Sequence, residues 1–528
     1  MKTKNKQNIE TGFSALKKYW KSDIVSGFLV FLLALPLSLG IAKASGFPAA
    51  MGVLTAMIGG LATVFFKVSE LSIKGPAAGL ITIAAGAVTD LGGNEQGWKI
   101  ASAVIVVMAI LQIVFGFLKF GSLSDFFPHS AVHGMLAAIG LIIIAKQIPV
   151  LLGDDPTLYK GEGPIELYLD IPKFILNAHW HIAVIGIIGL IIMFGLPLLK
   201  INFLKKIPAP MIVLVIAVPM TIFWHFKQTE PSYSLVSIGN FWGSLNFNAD
   251  FSAIGSFTFW KYVFMFLFVS SLESLLTVKA VDNLDPYKRQ SNYNGDLIGQ
   301  GAGNLFAGLF GGLPMISEVV RSSSNVGFGA ISKWSNFFHG LFLLLAMIFL
   351  IPFIELIPNS ALAAMLIFAG YRLAAPKEFI HTYHVGKEQL AIFLTTIAVT
   401  LLEDLLLGIL AGIIVKFLFH LYNGASIKNL FKAHYNIESN GNITKINFDG
   451  VAVFSNLIAF KKLFSVLPEE NKIVLNFEKV KLVDHSFMNF IHHYEFEMKE
   501  KEREINIIGF ENHRPLSSHP LATRVKIK

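Results

Sequence analysis

Two short segments place glycine, proline and small polar residues inside otherwise apolar sequence. The first runs from Ser72 to Gly79 as S-I-K-G-P-A-A-G, and the second runs from Gly311 to Asn325 as G-G-L-P-M-I-S-E-V-V-R-S-S-S-N. In each, an extended stretch is predicted to lead into a helix, with Pro76 in one first turn and Ser317 capping the other. A helix N-terminus presents free N–H groups and a positive dipole end, which suit an anion.

The two segments have two interpretations from pattern alone. Broken segments at comparable places in two membrane halves point to a transporter site, because unwound backbone at membrane depth must be buried or line a cavity. Alternatively, the glycines and prolines mark loops or close helix packing. The anion site is therefore a hypothesis.

Glu273 is a carboxylate inside a predicted span, since it follows the apolar run 262–272 and precedes two leucines. Ionisable groups at such depth are costly and are functional candidates. Thr277 follows at i+4 and shares the same helix face. We expect Glu273 to accept a proton or hold a cation and so couple that charge to anion uptake. The alternative is a structural carboxylate satisfied by neighbouring donors.

Charged residues flank both segments. Arg321 adds fixed positive charge near the second predicted helix start. Glu318 would repel an anion there unless it forms an i,i+3 pair with Arg321 or is protonated. The Ser322 hydroxyl either donates to an oxyanion or faces a helix-packing interface. Lys74 either attracts anions or has no contact with them, because it lies in the wall of the protein or extends its charged end to the membrane surface.

Composition places these residues in a membrane protein. The chain has 528 residues, of which 54% are hydrophobic and only 15% charged, and its mean hydropathy is +0.60. A soluble domain has about a quarter charged residues. The apolar runs predict about fourteen helical segments in the lipid bilayer. The formal charge of +8 forms no basic stripe, so no nucleic-acid partner is expected.

Loop charges predict the orientation. Lysines crowd the first 22 residues, and the loop 152–173 carries five acids against two lysines. The positive-inside rule then places both termini in the cytoplasm and that loop outside. We expect a multi-pass protein of a bacterial-type plasma membrane.

The last part of the chain has a different pattern. Strand-like runs at 443–448, 451–454, 473–477 and 505–508 alternate with helical stretches at 456–466 and 485–503. We therefore predict a cytoplasmic N-terminal segment (1–22), a transmembrane domain (23–425) and a small cytoplasmic α/β domain (426–528). The sequence contains no phosphate-binding loop, catalytic triad, metal-ligand spacing or cysteine, so neither an enzyme nor a cofactor is expected.

Four ordered motifs carry a family resemblance. They are A-L-P-L-S-L-G at 34–40, G-P-A-A at 75–78, E-S-L-L-T at 273–277, and G-G-L-P at 311–314 followed by Arg321. Together they resemble a SulP-type inorganic anion permease over about residues 20–425. The tail resembles a STAS domain, with F-S-N at 454–456 and D-H-S at 484–486.

The resemblance implies an α-helical polytopic fold with a seven-plus-seven inverted repeat, core and gate domains, a C-terminal STAS domain and a homodimer. It implies substrate contacts from the first, third and tenth spans at Leu37, Gly75, Ala77, Ala78, Gly79, Val319, Val320, Arg321 and Ser322. It also implies coupling at Glu273 and Thr277. Sodium-coupled relatives have Asp and a hydroxyl residue where this chain has Glu273 and Val319, which favours proton symport or exchange.

We therefore predict a secondary active transporter of a small inorganic anion, bicarbonate or sulfate, working by alternating access. The anion is expected between the N-termini of the third and tenth spans. The expected partners are the anion, the lipid bilayer, a second copy of the chain and an unknown cytoplasmic regulator of the STAS-like domain. The alternatives are a nucleobase permease of the same fold, an anion channel and an anion-sensing membrane receptor.

Overall fold

The computed structural model describes residues 9–125, 128–159, 162–198, 207–287, 289–403, 405–440, 443–467, 472–500 and 503–527. The chain forms two compact units, one of residues up to 121 together with 139–373 and one of residues 122–138 together with 374 onward. The predicted orientation also places lysines of later loops on the inner side, among them Lys200, Lys205, Lys206 and Lys288. These four, and Lys2, Lys4 and Lys6 of the N-terminal segment, lie outside the described residues.

The first unit is almost entirely helical. Its helices are α1 (Gly12–Ala44), α2 (Ala49–Leu61), α3 (Ile81–Asp90), α4 (Asn94–Phe117), α5 (His129–Leu152, shared with the second unit), α6 (Pro164–Leu169), α7 (Ile171–Leu176), α8 (Trp180–Gly195), α9 (Ala209–Phe223), α10 (Phe226–Thr229), α11 (Phe257–Leu284), α12 (Tyr293–Leu309), α13 (Val319–Gly327), α14 (Trp334–Phe349), α15 (Ile351–Ile354) and α16 (Asn359–Leu373). Its two strands are β1 (Lys74–Pro76) and β2 (Met315–Ser317).

The second unit continues with helices and ends in a mixed sheet. Its elements are α17 (Pro376–Val385), α18 (Lys387–Leu402), α19 (Leu405–Tyr422), α20 (Ile427–Leu430), β3 (His434–Asn440), β4 (Ile443–Ala452), α21 (Leu457–Ser465), β5 (Lys472–Val483), α22 (His485–Glu500), β6 (Ile505–Ile508), β7 (His513–Pro515) and β8 (Arg524–Lys526).

The helices of a membrane protein are present. Among the described residues, five helical segments are long and apolar enough to cross a bilayer: Gly12–Ala44, Asn94–Phe117, His129–Leu152, Trp180–Leu198 and Phe257–Asp282. Shorter apolar helices accompany them, including α9 and α14. The chain is therefore a multi-pass membrane protein. Helix α1 already begins at Gly12, within the segment 1–22; the domain boundaries at 22 and 425 stay predictions.

A two-stranded sheet joins the two halves of the first unit. Strands β1 and β2 are antiparallel, with Lys74 opposite Ser317 and Pro76 opposite Met315. A short 3-10 turn, Ala78–Leu80, leads from β1 into α3, and α13 follows β2 directly. Because the strands are antiparallel, the chain leaves them in opposite directions. Pro76 and Ser317 lie in strands, so the predictions of a first helical turn and a cap there are wrong.

Helix α12 packs closely on α4 through glycines. A Cβ atom added at Gly301 would lie within 3.0 Å of Ile113, and one added at Gly308 would lie 3.0 Å from the carbonyl oxygen of Ser102. The small residues at 299–303 therefore permit close helix packing.

The C-terminal part is an α/β domain, as predicted. Its sheet has the order β3-β4-β5-β8-β7, with β6 paired to β5, and β4, β5 and β6 are parallel. The predicted run at 443–448 and the first two residues of the run at 451–454 form one strand, β4, with an irregular register around Gly450, and a 3-10 turn begins at Phe454. Helices α21 and α22 cover the sheet, and the core between them is rich in phenylalanine, with Phe448, Phe460, Phe477 and Phe487 fully buried.

A buried ion cluster connects α19 to this domain within the second unit. Nζ of Lys416 and Nε2 of His420 lie 3.2 Å and 3.4 Å from Oδ2 of Asp484, and all three side chains are buried. The other oxygen of Asp484 accepts a hydrogen bond from the Phe487 N–H at the start of α22. Burial alone would raise the pKa of Asp484. The charge of Lys416 and the interactions with His420 and the Phe487 N–H have the larger, opposite effect and hold that pKa well below its usual range.

Candidate functional site

The first half of the site is the turn between β1 and α3. Ala78 and Gly79 begin the helical backbone, and among the described residues their N–H groups meet no acceptor. Gly75 and Ala77 are buried just before them. A Cβ atom at Gly79 would lie closer than 3.0 Å to the carboxylate of Glu273, so only glycine allows that approach.

The second half is the N-terminus of α13. Its N-cap is Glu318, whose Oε2 accepts a hydrogen bond from the backbone N–H of Arg321 at 2.7 Å. In the part of the chain that the structure describes, the N–H groups of Val319 and Val320 have no acceptor. Val319 is 45% exposed, so this helix end is open rather than packed shut.

Arg321 is the strongest charge at this end. Its side chain is fully buried, and its three guanidinium nitrogens find no acceptor among the described groups. A Cβ atom at Gly75 would lie closer than 3.0 Å to its Nη1, so the guanidinium lies against β1. The predicted side-chain pair with Glu318 is wrong, because that carboxylate bonds the backbone of Arg321 instead. A buried guanidinium without an acceptor calls for an anion or water.

Ser322 connects the two halves. Its hydroxyl oxygen accepts a hydrogen bond from the Ile73 N–H at 2.9 Å, and the Glu318 N–H donates to the Ile73 carbonyl at 3.0 Å. The side chain of Ser322 is fully buried. These bonds hold the start of α13 against the strand that precedes α3.

Glu273 lies against the first half of the site from α11, and Thr277 follows it one helical turn later. Oε2 of Glu273 and Oγ1 of Thr277 are buried, and neither has a hydrogen-bond partner among the described residues. The Glu273 carboxylate lies against Gly79 and interacts electrostatically with Glu318. Two carboxylates and one guanidinium therefore surround the two helix starts.

Helix α1 is a neighbour of both helices of the candidate site. It packs against both α3 and α13. Leu37 is partly exposed on it, and the neighbouring Ser38 is fully buried with a hydroxyl that has no described partner.

Lys74 has a role that neither sequence interpretation predicted. It is fully buried, and its Nζ lies 2.5 Å from both Oδ2 of Asp296 and Oγ of Ser317. Asp296 also accepts a hydrogen bond from the Ser69 N–H. Lys74 is thus neutralised within the fold and is not available to an anion. Asp296 was missed, although a carboxylate at the start of an apolar run is a recognisable signal.

His339 on α14 was missed too. The ring is fully buried, both nitrogens lack a partner in the described structure, and it interacts electrostatically with Arg321. It lies in the apolar run 336–357, where a polar residue should have been noted.

The described residues contain no group of three or more His, Asp or Glu side chains arranged for a metal ion. Two cavities of about 480 and 460 Å³ lie elsewhere, the first beside Trp98 and Asn240 and the second beside Glu70 and Arg289. Neither cavity is lined by the residues of the two helix starts, so the candidate ligand site there rests on the unpaired donors of Arg321 and of the backbone among the described residues.

Known proteins match this arrangement of helices. The sulfate permease family model matches residues 20–396. The chain belongs to the sulfate permease family. Its membrane part and tail agree with the SulP-type and STAS resemblance, and the family's named relatives are transporters rather than enzymes.

Two relatives illustrate the sequence similarity. The putative sulfate transporter YvdB of Bacillus subtilis is 27% identical over 410 residues, covering 76% of this chain and 74% of that protein. The bicarbonate transporter BicA of Picosynechococcus sp. is 24% identical over 407 residues, covering 75% of this chain and 69% of its own length.

Solved structures share the fold. The transmembrane domain of a cyanobacterial bicarbonate transporter BicA matches with a TM-score of 0.64 at 21% identity, covering 75% of this chain and 98% of that one. The overall structure of SLC26A9 matches with a TM-score of 0.66 at 17% identity, covering 94% of this chain and 85% of that one.

Proposed function

We propose that this chain is a secondary active transporter of a small inorganic anion. The observation that carries the proposal is a fully buried guanidinium, that of Arg321, without an acceptor beside two helix starts with free N–H groups. Such a cluster of donors is incomplete without a negatively charged ligand. The names of the relatives, which include sulfate and bicarbonate transporters, support the same class of substrate.

The proposed site holds the anion with backbone groups. The N–H groups of Ala78 and Gly79 donate from one side and those of Val319 and Val320 from the other, while Arg321 adds positive charge. Gly75, Ala77 and Ser322 shape the two starts, and Leu37 closes the apolar side. Alternating access then moves this core against the rest of the transmembrane domain.

Glu273 is the proposed coupling group, with Thr277 on the same face. A buried carboxylate beside an anion is favoured in its protonated form, since ionisation would place two negative charges close together. Anion binding and proton binding therefore support each other, which makes proton symport or exchange the proposed mode. The apolar side chain of Val319 offers no hydroxyl ligand for sodium at that position.

Uptake by the full chain in proteoliposomes tests the proposal. Sulfate, bicarbonate, chloride and dicarboxylates are offered with and without proton or sodium gradients, and uptake of at least one inorganic anion is expected. Competition by uracil instead would favour a nucleobase permease. Currents far above carrier turnover would favour a channel, and binding without flux would favour a receptor.

Glu273→Gln tests the coupling. The variant cannot ionise or bind the transported proton, so we expect about a tenfold or greater loss of the stimulation by a pH gradient. Glu95→Gln, at an exposed carboxylate paired with Lys99, is the matched control and should behave like the wild type. Unchanged stimulation in Glu273→Gln would remove Glu273 from the mechanism.

The setting of the transporter is also proposed. Both termini and the STAS-like domain lie in the cytoplasm of a bacterial-type plasma membrane, where the domain takes an unidentified regulator. The chain works as a homodimer in the lipid bilayer.

A further inference from the structure

The positive end of α13 already holds a negative charge from the chain itself. Oε2 of Glu318 accepts a hydrogen bond from the Arg321 backbone N–H at 2.7 Å, as an anion bound to this helix end would. The helix is nine residues long, so its dipole end is well formed. The Glu318 carboxylate uses the Arg321 N–H, and a substrate anion would use the adjacent N–H groups of Val319 and Val320. The two negative charges therefore compete for the same helix end.

The charged groups around Glu318 come from several elements. Arg321 on α13 is buried without an acceptor in the described structure, Glu273 on α11 interacts with Glu318 electrostatically, and His339 on α14 lies in the field of Arg321. Lys74 on β1 is neutralised by its own ion pair. With both glutamates ionised, two negative charges oppose one guanidinium, so the site repels a further anion.

We propose that Glu318 is a tethered competitor of the substrate and must bind a proton, or leave the helix end, before the anion can bind. This inference rests on the proposed function and deepens it. The Glu273–Glu318 pair is the proton-binding site, and Glu318 is the member that directly opposes the anion. A sequence with serine as the helix cap would lack this competition, since serine caps a helix without charge.

The charge balance supports a joint step. One proton from the entry side binds a carboxylate oxygen as one anion reaches the N–H groups of Val319 and Val320. For bicarbonate the net charge of the site is then unchanged, and for sulfate the proton offsets one of its two negative charges. On the other side the anion leaves, the proton returns to water, and Glu318 bonds the Arg321 N–H again. No covalent bond of the anion changes.

The test is the pH dependence of the KM for labelled sulfate and labelled bicarbonate in proteoliposomes, with each KM expressed as the concentration of the free anion at that pH. The full chain is compared with Glu318→Ser, which retains a helix cap, and with Glu318→Gln. Between about pH 5.5 and 8.5, the wild-type KM should rise with pH. In both variants the KM at the alkaline end should be roughly tenfold lower and should rise less with pH, because the pH dependence that remains belongs to Glu273 alone.

Two controls accompany these variants. Glu318→Asp keeps the charge and should keep the pH dependence, and Glu95→Gln should match the wild type. A wild-type chain that takes up neither anion overturns the proposed function and this inference together. Wild-type uptake with the same pH dependence of KM in Glu318→Ser overturns the inference alone.

Discussion

At Gly79 the absence of a side chain controls the distance between α3 and α11. The Glu273 carboxylate occupies the space where a Cβ atom would lie, and a methyl group there must push α11 or the carboxylate away. The free N–H of Gly79 would then face a displaced acid. Sub-ångström shifts at such positions are costly because packed interiors have little free space.

Gly79→Ala is therefore expected to reduce anion uptake about tenfold or more while leaving the amount of folded protein similar. Gly195→Ala in α8 is the matched control, since a Cβ atom at Gly195 meets nothing within 4 Å. Uptake per folded molecule is the measurement. Equal uptake by both variants would mean that the approach of Glu273 to Gly79 has no role in transport.

The residue types of the candidate site were its most predictable part, and their roles stay predictions. Glu273, Arg321 and the glycines of the third span were identifiable because each is unusual in apolar sequence. Partners were not predictable: Glu318 was expected to pair with the Arg321 side chain, but it caps the helix through the backbone. Hydrogen-bond geometry of this kind depends on where the chain turns, which residue spacing does not specify.

At the scale of elements, the β1–β2 sheet connects the two halves, and a buried ion pair fixes it to α12. Lys74 and Asp296 are both fully inaccessible to solvent. Buried pairs are expensive to break because removing one partner leaves an uncompensated charge, whereas removing both charges together is often tolerated.

Lys74→Met is thus expected to destabilise the protein by about 3–5 kcal/mol, and Lys74→Met combined with Asp296→Leu should recover much of that loss. Thermal unfolding of the purified chain in detergent measures both. If the double variant is as unstable as the single variant, the pair does more than neutralise its own charges.

The start positions of the short elements could not be predicted from local sequence. Pro76 and Ser317 have the composition of helix starts, yet both lie in strands because the two segments pair with each other across more than 200 residues. Long apolar helices such as α4 and the alternating strands of the tail were predictable, since their periodicity is local and repeated.

At the scale of the whole molecule, the family fold accounts for the many helices and the α/β tail, and the predicted orientation is open to a direct measurement. The chain contains no cysteine, so labelling of a single introduced cysteine shows on which side of the membrane that position lies. Lys173 lies in the loop predicted to be outside and is exposed, as is Ile427 near the predicted inner side.

Lys173→Cys should react with a membrane-impermeant maleimide added to intact cells, whereas Ile427→Cys should react only after the membrane is opened. The wild-type chain is the negative control. Labelling in the reverse pattern would invert the proposed topology and place the STAS-like domain outside.

The ion cluster between α19 and the tail has a practical consequence for anyone who shortens this chain. Lys416 and His420 belong to the last membrane helix, but the carboxylate that they contact belongs to Asp484. A membrane fragment ending at residue 425 would retain a lysine and a histidine whose counter-charge has been deleted. If such a fragment lost activity, the cause could be the missing aspartate as well as the missing regulatory domain. A truncation experiment therefore needs Asp484→Asn in the full chain as a control.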